Sequence, residues 1–274
     1  MSKKLKISIV AIAAVLVLCI LAHVISALTL DKIIQYKQIT LASADLPSDM
    51  EGYKIAFITD THAMTREELR VVVEELNTRQ LDLLVLGGDF ASAPGAADRT
   101  MQELSQTTTT DGIYGVEGNH DNYEALFAAM QNHGVTPLSN SGQYIREGFY
   151  LAGVEDLWNR NPDIALATQG TRPEDFILLL AHNADLTMTQ DTTNIDLTLS
   201  GHIHGGQVTI FGLWAPELTM HKRITDYSQR FMSGWATTRD ATPVYVSRGT
   251  GHLQKVPRVF ARPQVILLTL VGEA

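Results

Sequence analysis

The chain has 274 residues, of which 45% are hydrophobic and 19% charged, and its formal net charge is -9. This length fits one large domain, and the ordinary composition excludes a disordered chain and a collagen-like repeat. Only three of the 21 basic residues and none of the 30 acidic residues precede position 31. We therefore do not expect the acidic remainder to bind long nucleic acid, which requires an excess of Lys and Arg.

The first predicted element is an apolar stretch over residues 7–30 that contains no Asp, Glu, Lys or Arg. It is long enough to cross a bilayer, which takes about 20 helical residues. A cleaved signal has a shorter apolar region, of about 7–15 residues, and ends in a small-x-small site, whereas Ile25 stands at the −3 position of a site after Ala27. We predict that residues 1–30 form an uncleaved signal anchor and that residues 31–274 form a single folded domain. A cleaved signal is the alternative.

The charges that flank this stretch predict its orientation in the cell membrane. Lys3, Lys4 and Lys6 precede it, and only Lys32 and Lys37 follow it closely. The positive-inside rule then places the N-terminus in the cytoplasm and the domain of residues 31–274 outside it.

Six segments after the anchor are typical of β-strands. Residues 33–43 predict an edge strand that starts close to the membrane. Five short apolar runs follow, each bounded by Gly or Asp, and they indicate buried strands. These runs are residues 53–62, 81–89, 112–121, 176–182 and 197–204.

Helical patterns separate several of these strands. Thr65 and Glu68 form a capping box before an amphipathic pattern. Asp121 is interpreted as the cap that begins a second helix over residues 123–132. A weaker pattern covers residues 98–106.

Later in the chain, residues 144–145 and 149–154 predict a β-hairpin with its turn at Glu147-Gly148. Strands that alternate with helices and then pair locally predict an α/β domain with central sheets flanked by helices.

Each of the five buried strands ends in a polar cluster. In α/β sheets, the crevice beyond the carboxyl ends of the strands is where ligands bind. Residues two apart on an extended strand point the same way, so each Asp-x-His or His-x-His pair is expected to converge on one site. Carboxylate and imidazole suit Mn, Fe or Zn. The candidate residues are Asp60, His62, Asp89, Asn119, His120, His182, His202 and His204.

Taken one at a time, these clusters have purely structural interpretations. The aspartates fit turns, and His182 fits a hydrogen-bonded interior histidine. Gly201–Gly206 is the most specific cluster, because paired imidazoles among glycines have few structural uses. Five such coincidences at the same end of five strands favour a metal site.

The order of these motifs resembles the calcineurin-like metallophosphoesterases. The shared order is Asp-x-His, Gly-Asp, Gly-Asn-His-Asp, a single His and Gly-His-x-His. The segments 202–207, 247–251 and 258–263 are similar to membrane-associated bacterial phosphodiesterases of the YaeI/YkuE type. The resemblance covers residues 35–270 and implies two packed β-sheets flanked by helices, with a two-metal centre at the strand ends.

The resemblance also implies roles for the candidate residues. One divalent ion would be held by Asp60, His62, Asp89 and His204. The other would be held by Asp89, Asn119, His182 and His202, so that Asp89 bridges the two. A metal-bridging hydroxide would attack phosphorus. His120 would stabilise the phosphoryl transition state or protonate the leaving oxygen.

The implied activity is a two-metal phosphodiester hydrolase that acts on a small or lipid-linked phosphoester, or on a nucleotide-sugar. The segment after Gly88-Asp89 has no Asp-Arg-Gly, the motif of protein Ser/Thr phosphatases, which lowers the odds of phosphoprotein hydrolysis. A phosphomonoesterase or nuclease with the same centre is the alternative enzyme. A membrane-tethered scaffold without activity is the alternative from another class.

Three features remain open at this stage. Residues 208–235 mix aromatic, apolar and basic side chains, a composition equally compatible with covering the site, with meeting lipid and with packing under a long loop. His252 follows Gly249-Thr250-Gly251 and is a candidate to approach the substrate, whereas His221 is expected to be solvated.

Overall fold

The computed structural model describes residues 2–91, 95–220, 224–251 and 256–273. The expectations for His221 and His252 therefore lie outside the described residues. The α-helices are α1 (Lys3–Leu28), α2 (Arg66–Asn77), α3 (Ala96–Leu104), α4 (Tyr123–Asn132), α5 (Ile164–Ala167) and α6 (Pro216–Met220). Short 3-10 helices cover Leu30–Lys32, Ser48–Met50, Ala184–Met188, His204–Gly206 and Ser228–Phe231.

The strands form two six-stranded mixed sheets. In chain order they are β1 (Gln35–Ser43), β2 (Lys54–Ile58), β3 (Leu83–Leu86), β4 (Ile113–Gly115), β5 (Thr136–Pro137), β6 (Ser141–Arg146), β7 (Phe149–Gly153), β8 (Phe176–Leu180), β9 (Leu197–Ser200), β10 (Gly234–Thr237), β11 (Pro243–Val246) and β12 (Gln264–Gly272). The first sheet has the order β1-β12-β2-β3-β4-β5, and the second has the order β10-β11-β9-β8-β7-β6.

Strand β2 shows why its apolar run is continuous rather than alternating. Phe57 packs into the core between the two sheets, together with Leu151 and Leu178 of the second sheet. Its neighbour Ile58 packs on the opposite face, against Leu69 of helix α2. A strand that is buried on both faces needs apolar residues at every position. The packed sheets with helices outside them confirm the predicted fold class.

Most predicted elements lie where the sequence placed them. Strand β1 is the edge strand of its sheet, β6 and β7 form the predicted antiparallel hairpin, and the Thr65–Glu68 capping box begins α2. Helix α3 begins two residues earlier than predicted. Strand β12 was not predicted, and it inserts between β1 and β2, parallel to β1 and antiparallel to β2.

The interpretation of Asp121 as a helix cap is wrong. Helix α4 is capped by the next residue, Asn122, whose side chain accepts the N–H of Ala125 at 2.9 Å. Asp121 lies one position too early for that role, and its carboxylate is engaged elsewhere, as described below.

Helix α1 is long and apolar enough to cross a membrane, and none of its most apolar window is buried against the rest of the chain. It ends at Leu28, and strand β1 begins at Gln35. Between them, Asp31 is buried, and its carboxylate accepts the Ser26 hydroxyl at 2.6 Å and the Phe260 N–H at 2.8 Å. The end of the helix is thereby tied to the domain. The division of the chain at residue 30 stays a prediction.

Candidate metal centre

The predicted site residues follow the carboxyl ends of five strands, β2, β3 and β4 of one sheet and β8 and β9 of the other. Strands β2, β3 and β4 are mutually parallel, as are β8 and β9, so each sheet contributes the ends of parallel strands. The packing of the sheets brings the two sets of ends to one crevice. This crevice lies at the sheet ends, where α/β folds bind ligands.

The expectation that the paired ligands lie on extended strands is wrong. Strand β2 ends at Ile58 and β9 at Ser200, before the ligands begin. Asp60, His62 and His202 have φ angles of 55°, 43° and 70°, in the left-handed region that side chains rarely adopt. The side chains converge because tight turns aim them inward. Strained backbone of this kind clusters at functional sites.

Four of the predicted ligands form one compact group. Asp60, His62, Asp89 and His204 are all buried, and one ligand atom from each lies within 4.8 Å of all the others. The Nε2 atoms of His62 and His204 are 2.9 Å apart. His204 Nε2 is also 3.3 Å from Asp60 Oδ1. This geometry is that of two nitrogens and two oxygens around a common point.

A second group adjoins the first through Asp89. Asp89 Oδ2 is 3.5 Å from His62 Nε2 and 3.4 Å from His182 Nε2. His182 Nε2 is in turn 3.2 Å from Asn119 Oδ1. The His182 and His202 rings lie 5.2 Å apart. One carboxylate oxygen therefore lies between imidazoles of the two groups.

The Asp89 turn is held by the carboxylate of Asp121. Asp121 accepts the backbone N–H groups of Asp89 at 2.7 Å, Phe90 at 2.8 Å, Ala91 at 3.0 Å and Gly118 at 2.9 Å. These four bonds join the turn after β3 to the turn after β4. Asp121 is thus a positioning residue, and its true role could not be read from the capping pattern.

Gly88 is required by the same close approach. Its φ is 95°, and a Cβ added there would lie 2.6 Å from the Gly118 nitrogen and 2.7 Å from His182 Nδ1. A side chain at this position would therefore push the two strand-end turns and His182 apart.

Three of the imidazoles are oriented by a second contact. His182 Nδ1 lies 2.7 Å from Gly87 O, and His202 Nε2 lies 3.0 Å from Ile224 O. The buried Arg258 guanidinium lies 3.3 Å from His204 Nδ1 and donates to the His204 carbonyl at 3.1 Å. Such outer contacts fix ring orientation in metal sites. Arg258 was quoted in the sequence resemblance, but nothing there gave it this role.

Burial and the Asp89 carboxylate together set the pKa values of the four buried histidines. Burial lowers the pKa of His62 to about 4 and that of His202 to about 3, and it lowers the pKa of His204 well below its usual value. These rings are neutral at pH 7 and can offer a lone pair to a cation. Burial opposes the charged form of His182 too, but the Asp89 carboxylate outweighs it and raises the pKa of His182 to about 10.

The pKa values of the two carboxylates Asp60 and Asp89 are also shifted in opposite directions. Burial raises the pKa of Asp60 to about 6. Burial acts in that direction on Asp89 as well, but His182 and the hydrogen bonds around it outweigh the effect and hold the pKa of Asp89 below its usual range. Asp89 therefore carries its negative charge at pH 7.

The donor set fits divalent cations. The Nε2 atoms of His62 and His204, 2.9 Å apart, and the carboxylates of Asp60 and Asp89 offer four ligand atoms close enough to surround one ion. Mixed imidazole and carboxylate donors suit Mn, Fe or Zn. The described residues thus contain a possible metal-binding cluster, and the identity of the metal is not determined by it.

His120 differs from the other seven candidates because its side chain is exposed. The His120 ring lies 5.5 Å from the His62 ring, and the backbone N–H of His120 donates to Asp89 Oδ1 at 2.8 Å. It lines a cavity of about 230 Å³ together with Trp158, whose ring stands edge-on to His202 at 4.4 Å. Sequence reasoning missed Trp158, because an isolated exposed tryptophan carries no motif.

The structure brings all eight predicted residues to this crevice. Asp60, His62, Asp89 and His204 form one group, Asn119, His182 and His202 lie around the other side of Asp89, and His120 lines the cavity at the mouth. Their division between two metal ions and the role of His120 stay predictions.

Comparison with known proteins gives a consistent result. The family model for the calcineurin-like phosphoesterases matches residues 53–206, more than half of the chain. The metallophosphoesterase YkuE of Bacillus subtilis, which is called uncharacterized, is 27% identical over 84% of this chain and 83% of its own length. Phosphodiesterase YaeI of Escherichia coli is 28% identical over 80% of this chain and 82% of its own length.

A vertebrate relative is considerably longer than the matched region. A transmembrane protein with a metallophosphoesterase domain from Danio rerio is 29% identical over 82% of this chain, but only 54% of its own length is covered. The chain thus spans about half of that relative and four fifths of the two bacterial ones.

Proposed function

The chain belongs to the calcineurin-like phosphoesterase family, and from that membership we propose that it is a two-metal phosphodiester hydrolase. The observation that carries the proposal is the position of Asp89 Oδ2, at 3.5 Å from His62 Nε2 and 3.4 Å from His182 Nε2. A shared carboxylate oxygen between two sets of imidazoles is what a pair of adjacent cations requires, because it offsets their mutual repulsion.

We assign the ligands as the sequence resemblance implied. Asp60, His62, Asp89 and His204 would hold one ion, and Asp89, Asn119, His182 and His202 the other. When bound, the two ions would lower the pKa of a water molecule and supply positive charge for the phosphate. That charge explains how a domain with an acidic surface accepts an anionic substrate.

The chain itself contributes the proton chemistry at the mouth of the site. His120 is exposed in the 230 Å³ cavity while its backbone N–H is fixed by Asp89. Its imidazole can donate a proton to the oxygen that leaves phosphorus, the role of a general acid. Because its main chain is fixed and its ring exposed, it can reach a substrate without acting as a ligand.

The preference for diesters rests on two supports. The relative YaeI is named a phosphodiesterase, and the segment after Asp89 has no Asp-Arg-Gly motif of the protein phosphatases. The identity of 28% to that relative leaves the specific substrate open, and we place it in the class of small or lipid-linked phosphoesters, including nucleotide-sugars.

We further propose that α1 anchors the enzyme in the cell membrane, with the N-terminus in the cytoplasm and the catalytic domain outside it. The support is the run of Lys3, Lys4 and Lys6 before the helix. Protease added to spheroplasts should then digest the domain. Protection of the domain until the cell membrane is lysed would contradict this orientation.

The decisive experiment for the activity combines metal analysis with rates. The purified protein should bind two divalent ions per chain and hydrolyse bis-p-nitrophenyl phosphate faster than p-nitrophenyl phosphate. Two bound ions with a faster monoester rate would identify a phosphomonoesterase instead. Two bound ions with no turnover of either substrate would favour a scaffold.

A further inference from the structure

A short β-hairpin lies immediately after the turn that carries His204. Ile210 pairs with Trp214 across it, and the turn residues Phe211 and Gly212 have φ angles of 54° and 73°. The Leu213 N–H donates to Ile210 O at 3.0 Å, which closes a tight turn over these two residues. The segment is therefore a defined element, and we call residues 208–214 the apolar hairpin.

The hairpin is fixed to the C-terminal part of the domain. Val208 bridges Val259, and the Thr209 hydroxyl donates to Val259 O at 3.0 Å. The same hydroxyl accepts the Gly212 N–H at 2.8 Å, which secures the turn. These contacts hold the hairpin against the segment around Val259.

Those side chains are apolar and exposed. The side chain of Leu213 is 82% exposed, the highest value among the large hydrophobic residues that the structure describes. Val208, Ile210, Phe211 and Trp214 are exposed as well. Five exposed apolar residues within one seven-residue hairpin mark a contact surface rather than a packed loop. Packing beneath a loop, which the sequence left open, does not account for them.

The hairpin lies beside the last turns of helix α1. The His23 ring contacts the Phe211 ring edge-on at 4.6 Å and the Phe260 ring at 4.9 Å. His23 precedes the helix end at Leu28 by five residues, which corresponds to about 7 Å along the axis. With α1 in the bilayer up to Leu28, as proposed above, a side chain that contacts His23 lies at the depth that interfacial elements reach, about 5–10 Å.

We propose that the apolar hairpin is a second contact of this protein with the lipid bilayer, beside the anchor helix. Lipid is the partner of this surface because the exposed apolar surface of the hairpin joins the exposed apolar surface of helix α1 at Phe211. Trp214 is typical of the lipid–water interface, since its indole pairs an apolar ring with a polar N–H. Exposed Lys32 near the helix end supplies a positive charge suited to anionic headgroups.

This contact has a consequence for the substrate, one that rests on the proposed function. Val208 belongs to the hairpin and also lines the 230 Å³ cavity with His120 and His202. The rim of the metal site is therefore continuous with the surface that meets lipid. The arrangement suits a phosphoester carried by a lipid, whose headgroup enters the cavity while its chains stay in the bilayer.

The test uses the full chain in nanodiscs of phosphatidylcholine and phosphatidylglycerol. Leu213→Cys in a Cys19→Ala background is labelled with a polarity-sensitive fluorophore. Leu166→Cys is the matched control, because Leu166 is a 51% exposed leucine of helix α5. We expect the label at Leu213 to be quenched by a spin-labelled lipid and protected from iodide, and the label at Leu166 to show the reverse.

Two outcomes would overturn the proposal. Equal iodide quenching at both positions would show that the hairpin faces water. Protection from iodide without quenching by the lipid would assign the surface to a protein contact instead. If Leu213→Cys fails to fold, Ile210→Cys provides a second position, since Ile210 is a 47% exposed residue of the same hairpin.

A kinetic arm separates this proposal from the proposed function. Leu213→Asp should lower turnover of a vesicle-borne long-chain diester by roughly tenfold, the factor expected from losing most of one leucine's burial. Turnover of bis-p-nitrophenyl phosphate should stay unchanged, as it should in Leu166→Asp. An equal loss on both substrates would contradict an interfacial role. Lack of turnover by the unaltered chain would contradict the proposed function, while the fluorescence result would still decide the bilayer contact.

Discussion

The metal centre and the apolar hairpin depart from ordinary folding in opposite ways. In the centre, carboxylates and imidazoles such as Asp60, Asp89 and His182 are almost fully buried. In the hairpin, Leu213 is almost fully exposed. Buried polar groups and exposed apolar patches are the two informative exceptions to the usual partition of side chains. Each exception indicates the chemistry of its partner, a cation in the first region and lipid in the second.

The two regions are also built differently. The centre gathers residues from five strand ends. The Asp121 carboxylate joins the turn after β3 to the turn after β4, about 30 residues apart in the chain. The hairpin is local and is fixed by its contacts with Val259, which are a bridge from Val208 and hydrogen bonds from the N–H and the hydroxyl of Thr209. We therefore expect single substitutions in the centre to abolish function, and single substitutions in the hairpin to change only how substrate arrives.

The largest expected effect is that of Asp89→Ala. Both proposed ions lose a ligand at once, so metal content should fall below two per chain and turnover should fall to background. Metal analysis and the diester rate measure this, with Asp98→Ala as the control, since Asp98 is an exposed carboxylate outside the site. Two tightly bound ions with normal turnover would contradict the bridging assignment.

His120→Ala should separate chemistry from metal binding within the centre. Because His120 is exposed and is not assigned as a ligand, the metal content should stay at two. Turnover should fall by roughly 10²–10⁴-fold, the usual effect of losing a general acid. The control is His133→Ala, which alters an imidazole paired with Asp98 outside the site. Loss of metal from the His120 variant would place that residue among the ligands.

Asp121→Ala tests the tie between the strand-end turns. Four backbone N–H groups lose their acceptor, so the free energy of unfolding should fall by about 2–4 kcal/mol. Asn122→Ala removes only the cap of α4 and should cost about 1 kcal/mol. Denaturant unfolding of the metal-free protein measures both. Equal costs for the two variants would argue that Asp121 acts no more strongly than a cap.

Metal affinity should depend on pH in a defined direction. The raised pKa of Asp60, about 6, means that a proton competes with the cation below that pH, because only the ionised carboxylate is a ligand. The part of the metal affinity that depends on Asp60 should be nearly constant above about pH 6. Below that pH it should fall by about tenfold per pH unit.

His182 adds a second, separable effect on metal binding. Its raised pKa, about 10, means that metal loading at pH 7 releases a proton from this ring. Calorimetry in buffers of different ionisation enthalpy measures both effects. Binding without proton release at pH 7 would remove His182 from the ligands.

Shortening the chain should produce the smallest effect on the centre. A chain that starts at Asp31 keeps the bond from the Phe260 N–H to the Asp31 carboxylate and contains every proposed ligand. Its rate on a small water-soluble diester should stay close to that of the full chain, while its rate on a lipid-borne diester should fall because tethering is lost. Loss of the small-diester rate would show that α1 shapes the site.

The fold was predictable to a large extent because its strands are buried on both faces. Runs such as residues 53–62 and 176–182 stand out as continuous apolar segments, and each ends in the polar cluster that belongs to the site. Strand β12 has an equally apolar sequence but was not assigned, because no cluster of candidate ligands ends it. The pattern of polar clusters thus identified the strands that serve the site better than those that complete the sheet.

The sequence by itself determined which chemistry is present: the eight candidate residues, their order along the chain, the apolar helix and the family. Only the tertiary structure decided how these parts are used. It gave Asp121 four backbone donors in place of a helix cap, turned His62 and His202 inward through positive φ angles, and set Phe211 against His23. The physical reason is that residue type and periodicity are local properties, whereas hydrogen-bond partners, side-chain direction and exposure depend on segments far apart in the chain.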